Sequence, residues 1–470
     1  MTGETSPPGG VGPELQELLA RATDPRVFEE WRRRAKATGW CRHPVRLVGV
    51  ADRVNTTTGE IVGHFASSEL PDRVVLKACG RRRATRCPTC SERYQADAYQ
   101  LVAAGLRGGK GVPESVADHP MIFATLTAPS FGPVHRSTGE RCHPARGARG
   151  VCCHGVPRSC AAIHGSDDPA LGQPICSSCF DYPSAVVWNA LAGKLWQRTA
   201  IGIRRSLATL AGVSRRELAG LVRVSFSKVV EYQRRGSVHL HVVIRLDAAG
   251  DGTDPPPPPF GAKLLSRATA KAATSAWLPS PLGPSGRTIR WGSQVDVRPI
   301  GDGETVPRVV ASYVAKYSTK STDSLGVLDR RLRESDLDRL EGRLSPHLAT
   351  MVHTAWELGG RPQLEELRLR AWAHTLGFRG HWLTKSRRYS TTLTRLRAAR
   401  QSWHLAQDGE GTGDDVVSSG SWHYVGSGWA TEGDAWLAET AARGATDARR
   451  TGRFERRATT RREQANARRP

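Results

Sequence analysis

The alternation of apolar and polar positions is sharpest between Val222 and Asp247. From Val238 the chain alternates strictly. Val238, Leu240, Val242, Ile244 and Leu246 fall on one side, and His239, His241, Val243, Arg245 and Asp247 on the other. A period of two predicts a half-buried strand whose apolar side lies on a core. The preceding run alternates too, with Val222, Val224, Phe226, Val230 and Tyr232 opposite Arg223, Ser225, Ser227 and Glu231. Arg234, Arg235, Gly236 and Ser237 between the runs read as a hairpin turn. A turn centred near Arg235 sets Glu231 across from His239, so that Glu231, His239 and His241 converge on one sheet face. That donor set suits a hard or borderline divalent cation such as Mg2+ or Mn2+.

The same pattern extends the architecture on either side. Residues 121–127 and 294–300 read as strands, 187–210 and 263–277 as helices. A further helix is expected over 306–321, with Tyr313, Lys316 and Tyr317 at helical spacing on one face. The order strand, helix, hairpin, helix, strand, helix predicts an α+β fold, a ferredoxin-like antiparallel sheet with helices on one face. Beyond residue 322 the pattern is helical over 325–344, 347–358, 364–376 and 391–400. Residues 377–389 form a basic, aromatic turn whose Lys385, Arg387 and Arg388 suit phosphate contact beside base stacking. The expected division is a leader and helix over 1–40, a Cys-rich module over 41–115, and the α+β domain over 116–322 with an insertion at 136–180. A helical basic region over 323–406 follows, then a linker and disordered Arg-rich tail over 407–470.

Charge and cysteines add chemistry to this outline. The 470 residues carry a formal net charge of +23, with a pI near 10.2, which points to a polyanionic partner, foremost nucleic acid. The amino terminus lacks a signal pattern and no apolar run approaches a membrane span, so a cytoplasmic protein without a membrane partner is expected. Ten cysteines in that compartment are read for zinc rather than disulfides. Cys87 and Cys90 form a C-x-x-C knuckle, and Cys41 or Cys79 could complete four ligands. The insertion offers Cys142, Cys152, Cys153, His154, Cys160, His164, Cys176 and Cys179, too many for one tetrahedral zinc. Cys176 and Cys179 are the safest pair there, Cys142 and Cys152 are further zinc candidates, and the set of four ligands stays open. The stretch 105–111 has neither the spacing nor the hydroxyl of a P-loop, which argues against an intrinsic helicase motor.

Three motifs in order carry a resemblance. Residues 123–127 (Phe-Ala-Thr-Leu-Thr), His239-Leu-His241 and Tyr313-Val-Ala-Lys-Tyr317 resemble the motifs of HUH endonucleases, in particular rolling-circle replication initiators of actinomycete plasmids and integrative conjugative elements. The wider likeness runs from about Cys41 to Arg400 and includes Cys87–Cys90, residues 128–132, 180–182, Trp188-Asn189 and 385–389. The resemblance implies that Tyr313 is the nucleophile of a metal-dependent nick at a replication origin, leaving a 5′-phosphotyrosine and a free 3′-OH. It implies that Lys316 positions metal or phosphate, that Tyr317 rejoins the displaced strand, and that a host helicase and replication machinery are partners. Two alternatives stand beside it. A conjugative relaxase or transposase would run the same chemistry on a different DNA site, and a zinc-stabilised DNA-binding regulator would lack catalysis.

Overall fold

The structure, a computed structural model, describes residues 23–466 apart from 71, 146–149, 251–253, 285, 302–306, 321–329, 341 and 408–415. For 317–320, 404–407, 450, 453–454 and 456–466 it describes the backbone only. The chain divides into two units, one of residues 1–94 with 398–470 and one of residues 95–397. In chain order the first contains α1 (Pro25–Ala37), β1 (Val45–Asn55), β2 (Ile61–Ala66), β3 (Val75–Lys77) and the start of α2 (Pro88–Arg107). Then come β4 (Met121–Leu126), α3 (Tyr182–Ala211), α4 (Arg215–Leu221), β5 (Val222–Tyr232), β6 (Val238–Ala248) and α5 (Ala262–Ser275). The two-residue strands β7 (Trp277–Leu278) and β8 (Ile289–Arg290) lead to β9 (Val295–Pro299), α6 (Pro307–Lys320) and α7 (Pro346–Leu358). The single turn α8 (Leu369–Trp372), β10 (Leu383–Lys385), α9 (Leu393–Gln407), β11 (Val416–Ser427) and α10 (Glu432–Asn466) complete the series.

In the first unit β1 is the spine, pairing antiparallel with β2, β3 and, over its whole length, β11. The linker and disordered tail expected over 407–470 are therefore corrected. Val416–Ser427 is a strand of this sheet, and Glu432–Asn466 is helical. Trp31, Ala35 and Ala438 form a small core under Trp40 and Trp429.

In the second unit the antiparallel sheet runs β10-β5-β6-β4-β9. On one face Val224, Val230, Leu240, Val242, Ile244 and Ile122 pack with α3, α5 and α7. Asp181 caps the start of α3 through a bond from Ser184 N, and Gly212, at φ 69°, closes its end. The expectation of helices on one face only is overturned. Val229, Val243 and Met121 on the other face are buried by Leu101, Val102 and Leu106 of α2 and by Val310, Ala311 and Val314 of α6. The polar far end of that face is buried as well. Asp247 accepts from Ser225 Oγ and Arg245 Nε at 2.5 Å and lies 2.8 Å from His119 Nδ1, while Arg245 donates to Gly105 O. Polar residues could fill a buried face because they satisfy one another.

Two helices expected in the carboxy-terminal part are also corrected. The described part of 325–344 holds only the 3-10 segment Glu334–Arg339. The 364–376 stretch is cut at Arg368, whose φ of 51° an α-helix interior does not accommodate, and closes at Leu376 with φ 52°.

Candidate metal and nucleophile site

The hairpin register places Glu231 opposite His239, and β4 places Thr125 opposite His241. All four side chains therefore share the face under α6. Glu231 Oε2 lies 2.9 Å from His239 Nε2 and 3.0 Å from His241 Nε2, and the two imidazole nitrogens are 3.1 Å apart. The Tyr313 hydroxyl, from α6, lies 3.2 Å from His241 Nε2. Phe123 stacks parallel to the His241 ring at 5.7 Å and meets Tyr313 edge-on at 5.9 Å, so one aromatic side chain sets both orientations.

Burial pushes the Glu231 carboxyl upward, but its bonds with His239 and His241 outweigh this and hold it below the usual carboxylate value. Burial also holds His241 below the ordinary histidine value, against the opposing pull of Glu231. With its proton on Nδ1, donated to Thr125 Oγ1 3.1 Å away, a neutral His241 would give up its bond with Glu231 and offer the Nε2 lone pair to a metal. Thr125 escaped the sequence reading as a site residue. Its register opposite His241, on the polar side of the 123–127 run, was the signal for it.

The turn that carries these groups is fixed from below. Asn189 of α3, fully buried, donates to Gly236 O and Leu376 O, each at 2.9 Å, and accepts from Val238 N at 3.0 Å. Gly236 has φ 73°, and a Cβ there would lie 2.4 Å from Met351 Sδ. Arg235 donates to Ala128 O and Pro129 O, both at 2.7 Å.

The other expected site residues separate. Lys316 is exposed on α6, and the Tyr317 side chain lies outside the described residues. Lys385 donates to the carbonyls of Ser386, Arg387 and Ser390, so it braces its own turn, whereas Arg387 and Arg388 are exposed.

Among the described residues, three further donor groups could hold a metal. Cys41, Cys79, Cys87 and Cys90 come together in the first unit, with Sγ–Sγ separations of 3.7–3.8 Å for three of their pairs. A tetrahedron with metal–sulfur bonds of about 2.3 Å has edges of about 3.8 Å, so the spacing is that of a zinc-sized centre. The insertion holds two groups. His135, Cys142, Cys160 and His164 form one, and Cys152, His154, Cys176 and Cys179 the other. Cys142 thus falls in a different group from Cys152, Cys176 and Cys179, a division that the sequence left open. His135 was missed because it precedes the cysteine-rich stretch.

Residues 27–443 match the family described as "Replication initiator protein, pSAM2". A Streptomyces ambofaciens protein described as a replication initiator protein is 42% identical over 432 residues, covering 88% of this chain and 90% of the relative. The chain belongs to this replication initiator family. No solved structure matches the initiator. At the end of the β5–β6 hairpin away from the turn, the initiator has a cavity of about 650 Å³. Arg204, Arg205, Arg215, Arg223 and Arg388 line it over an apolar floor that includes Leu218 and Val222. Among the described residues of the initiator, no helix is long and apolar enough to cross a membrane.

Proposed function

We propose that this initiator nicks one strand of its double-strand origin by tyrosine transesterification, starting rolling-circle replication, and later rejoins the displaced strand. The observation that carries the reading is the Tyr313 hydroxyl 3.2 Å from His241 Nε2, at the edge of a half-buried three-donor group. Glu231, His239 and His241 would hold Mg2+ or Mn2+, which supplies Lewis-acid polarisation of the scissile phosphate and steadies its developing charge. Tyr313, having lost its proton, attacks phosphorus as the bond to the 3′ oxygen breaks. The tyrosine keeps the 5′-phosphate, and the 3′ oxygen takes up a proton to become the 3′-OH that a polymerase extends. Phe123 and Thr125 orient the participants. Lys316 positions metal or phosphate, and Tyr317 performs the second transesterification.

The net charge of +23 and the arginine-lined cavity support a DNA partner contacted through its backbone. Strand separation falls to a host helicase and the replication machinery of the cytoplasm, since the sequence holds no P-loop. Cys41, Cys79, Cys87 and Cys90 hold a structural Zn2+, consistent with their sulfur spacing.

The test uses single-stranded origin DNA labelled at its 3′ end, incubated with the full chain with and without Mn2+ and run on a denaturing gel. A labelled protein adduct that needs the metal and vanishes in Tyr313→Phe is expected. Tight binding with no adduct on any origin fragment would replace this reading by that of a zinc-stabilised DNA-binding regulator.

A further inference from the structure

The insertion between β4 and α3 has almost nothing apolar to hold it. Among its described residues between 133 and 179, the buried ones are Cys142, His164, Gly172 and Cys176. Of its large aliphatic side chains, Ile163 and Val151 are 65% and 59% exposed, and Val134, Val156, Leu171 and Ile175 are only half-buried. Regular structure is confined to isolated bridges and one 3-10 turn, Ser177–Cys179. Such a segment cannot offset the entropy of ordering its backbone by hydrophobic burial. It nevertheless brings eight donors into two four-atom groups, each with all ligand atoms within 4.8 Å of one another.

The contacts in each group are those of a metal-sized cage. In the first, His135 Nδ1 is 3.0 Å from His164 Nε2, Cys142 Sγ is 3.8 Å from His135 Nδ1, and Cys160 Sγ is 3.6 Å from His164 Nε2. His164 presents its other nitrogen, Nδ1, to Asp168 Oδ2 at 2.6 Å, the carboxylate–imidazole pairing that orients a ligating histidine. In the second, His154 Nδ1 lies 3.2 Å from Cys179 Sγ and 3.9 Å from Cys176 Sγ. Along the chain the groups alternate in pairs: 135 and 142, then 152 and 154, then 160 and 164, then 176 and 179. Each metal thus closes loops that contain donors of the other.

The first group is joined to the catalytic hairpin by short steps. His135 N donates to Gln173 O at 2.8 Å, and Gly172 N donates to His135 O at 2.9 Å. Gly172 lies so close to the Arg234 backbone that a Cβ on it would come within 2.4 Å of Arg234 C. Arg234 in turn donates from its guanidinium to Ser166 O at 2.5 Å, in the loop between His164 and Asp168. Arg234 sits in the turn between Glu231 and His239.

We propose that the insertion is a cross-braced two-zinc element, with a Cys2His2 centre at His135, Cys142, Cys160 and His164 and a Cys3His centre at Cys152, His154, Cys176 and Cys179. By clamping the β5–β6 turn at Arg234, it holds Glu231, His239 and His241 in register for their divalent ion. The positioning half rests on the reading of that triad as a metal site; the zinc half does not. Cys153 and His143, which also lie near these donors, stay outside both centres.

The experiment measures zinc per chain and Mn2+ affinity on the same purified full-length protein, with Mn2+ followed by electron paramagnetic resonance. Three zinc per chain are expected, counting the centre at Cys41. The double variant Cys160→Ala with His164→Ala should lose at least one zinc and bind Mn2+ about tenfold more weakly, whereas Cys153→Ala should retain three. Should the double variant fail to fold, Arg234→Ala leaves every donor intact and should retain three zinc with weakened Mn2+ binding. One zinc or fewer in the wild type would overturn the two centres. Unchanged Mn2+ affinity in both the stripped variant and Arg234→Ala would overturn the clamp. Three zinc with no Mn2+ binding to the wild type would leave the centres standing and remove the divalent-ion reading instead.

Discussion

A single buried amide does the most at the level of residues. Asn189 satisfies three backbone groups at once, two carbonyls and one N–H, at the point where the hairpin turns. Asn189→Leu would leave all three buried and unpaired, at about 1–3 kcal/mol for each such group. The unfolding free energy, followed by chemical denaturation, should therefore fall by about 3 kcal/mol or more. Nothing in the sequence announced this role. The residue stands in the apolar stretch 185–192 of α3, and one of its partners lies 187 positions away. Thr125 gives a milder case. Thr125→Val keeps the shape but removes the oxygen that receives His241 Nδ1–H, so Mn2+ affinity and nicking rate should each drop about tenfold while the fold survives. A Thr125→Val enzyme with wild-type nicking would show that the ring needs no such guide.

Among the elements, the hairpin was the most legible, because a period of two and a short turn fix which residues face each other. The pairing of Glu231 with His239 followed from that register alone. The covering of its second face did not, since Leu101, Val102 and Leu106 come from a helix far upstream and Arg245 reads as a solvated charge until Asp247 and Gly105 are seen around it. The docking of α7 on the turn carries a pH dependence. His347 lies between the Tyr182 hydroxyl, 3.1 Å from Nδ1, and Arg235 O, 3.0 Å from Nε2, and burial holds its pKa below the ordinary value. An imidazole whose folded pKa is depressed is neutral in the folded chain at a pH where the unfolded chain has taken up a proton. Its share of stability is thus present above about pH 6.5 and is lost as pH falls below it. Denaturation midpoints of wild type and His347→Gln, measured from pH 7.5 to 5.5, should converge as the pH drops. A gap that stays constant would mean that His347 acts by packing alone.

At the scale of the molecule, composition pointed to a polyanionic partner but marked no surface for it. The +23 charge is spread over the sequence, and only the fold collects Arg204, Arg205, Arg215, Arg223 and Arg388 around one cavity. Its floor at Val222 and Val224 lies roughly 20–30 Å along β5 from Glu231, at about 3.3 Å per residue. Replacing Arg204, Arg205 and Arg215 by alanine should flatten the logarithmic salt dependence of origin binding by about 2 to 3, while cleavage of a short oligonucleotide at saturating protein is unchanged. An unaltered slope would place the phosphate contacts elsewhere. The cysteines teach the same lesson about pattern. The C-x-x-C spacings at Cys87 and Cys176 could be read directly, whereas the sharing of eight insertion donors between two groups depends on how the loops cross.

The pairing of β1 with β11 has a consequence for the order of events at the ribosome. Residues 95–397 are contiguous, so the unit bearing Tyr313 and its donors can fold as soon as it has emerged. The first unit, although begun earlier, waits with β1 lacking one of its partners until residues 416–427 have been made. Throughout that interval the nascent chain exposes an open strand edge that invites pairing with another copy. A message cut short before Val416 would accordingly yield a chain able to assemble the cluster of Tyr313, Glu231, His239 and His241 yet prone to associate through β1.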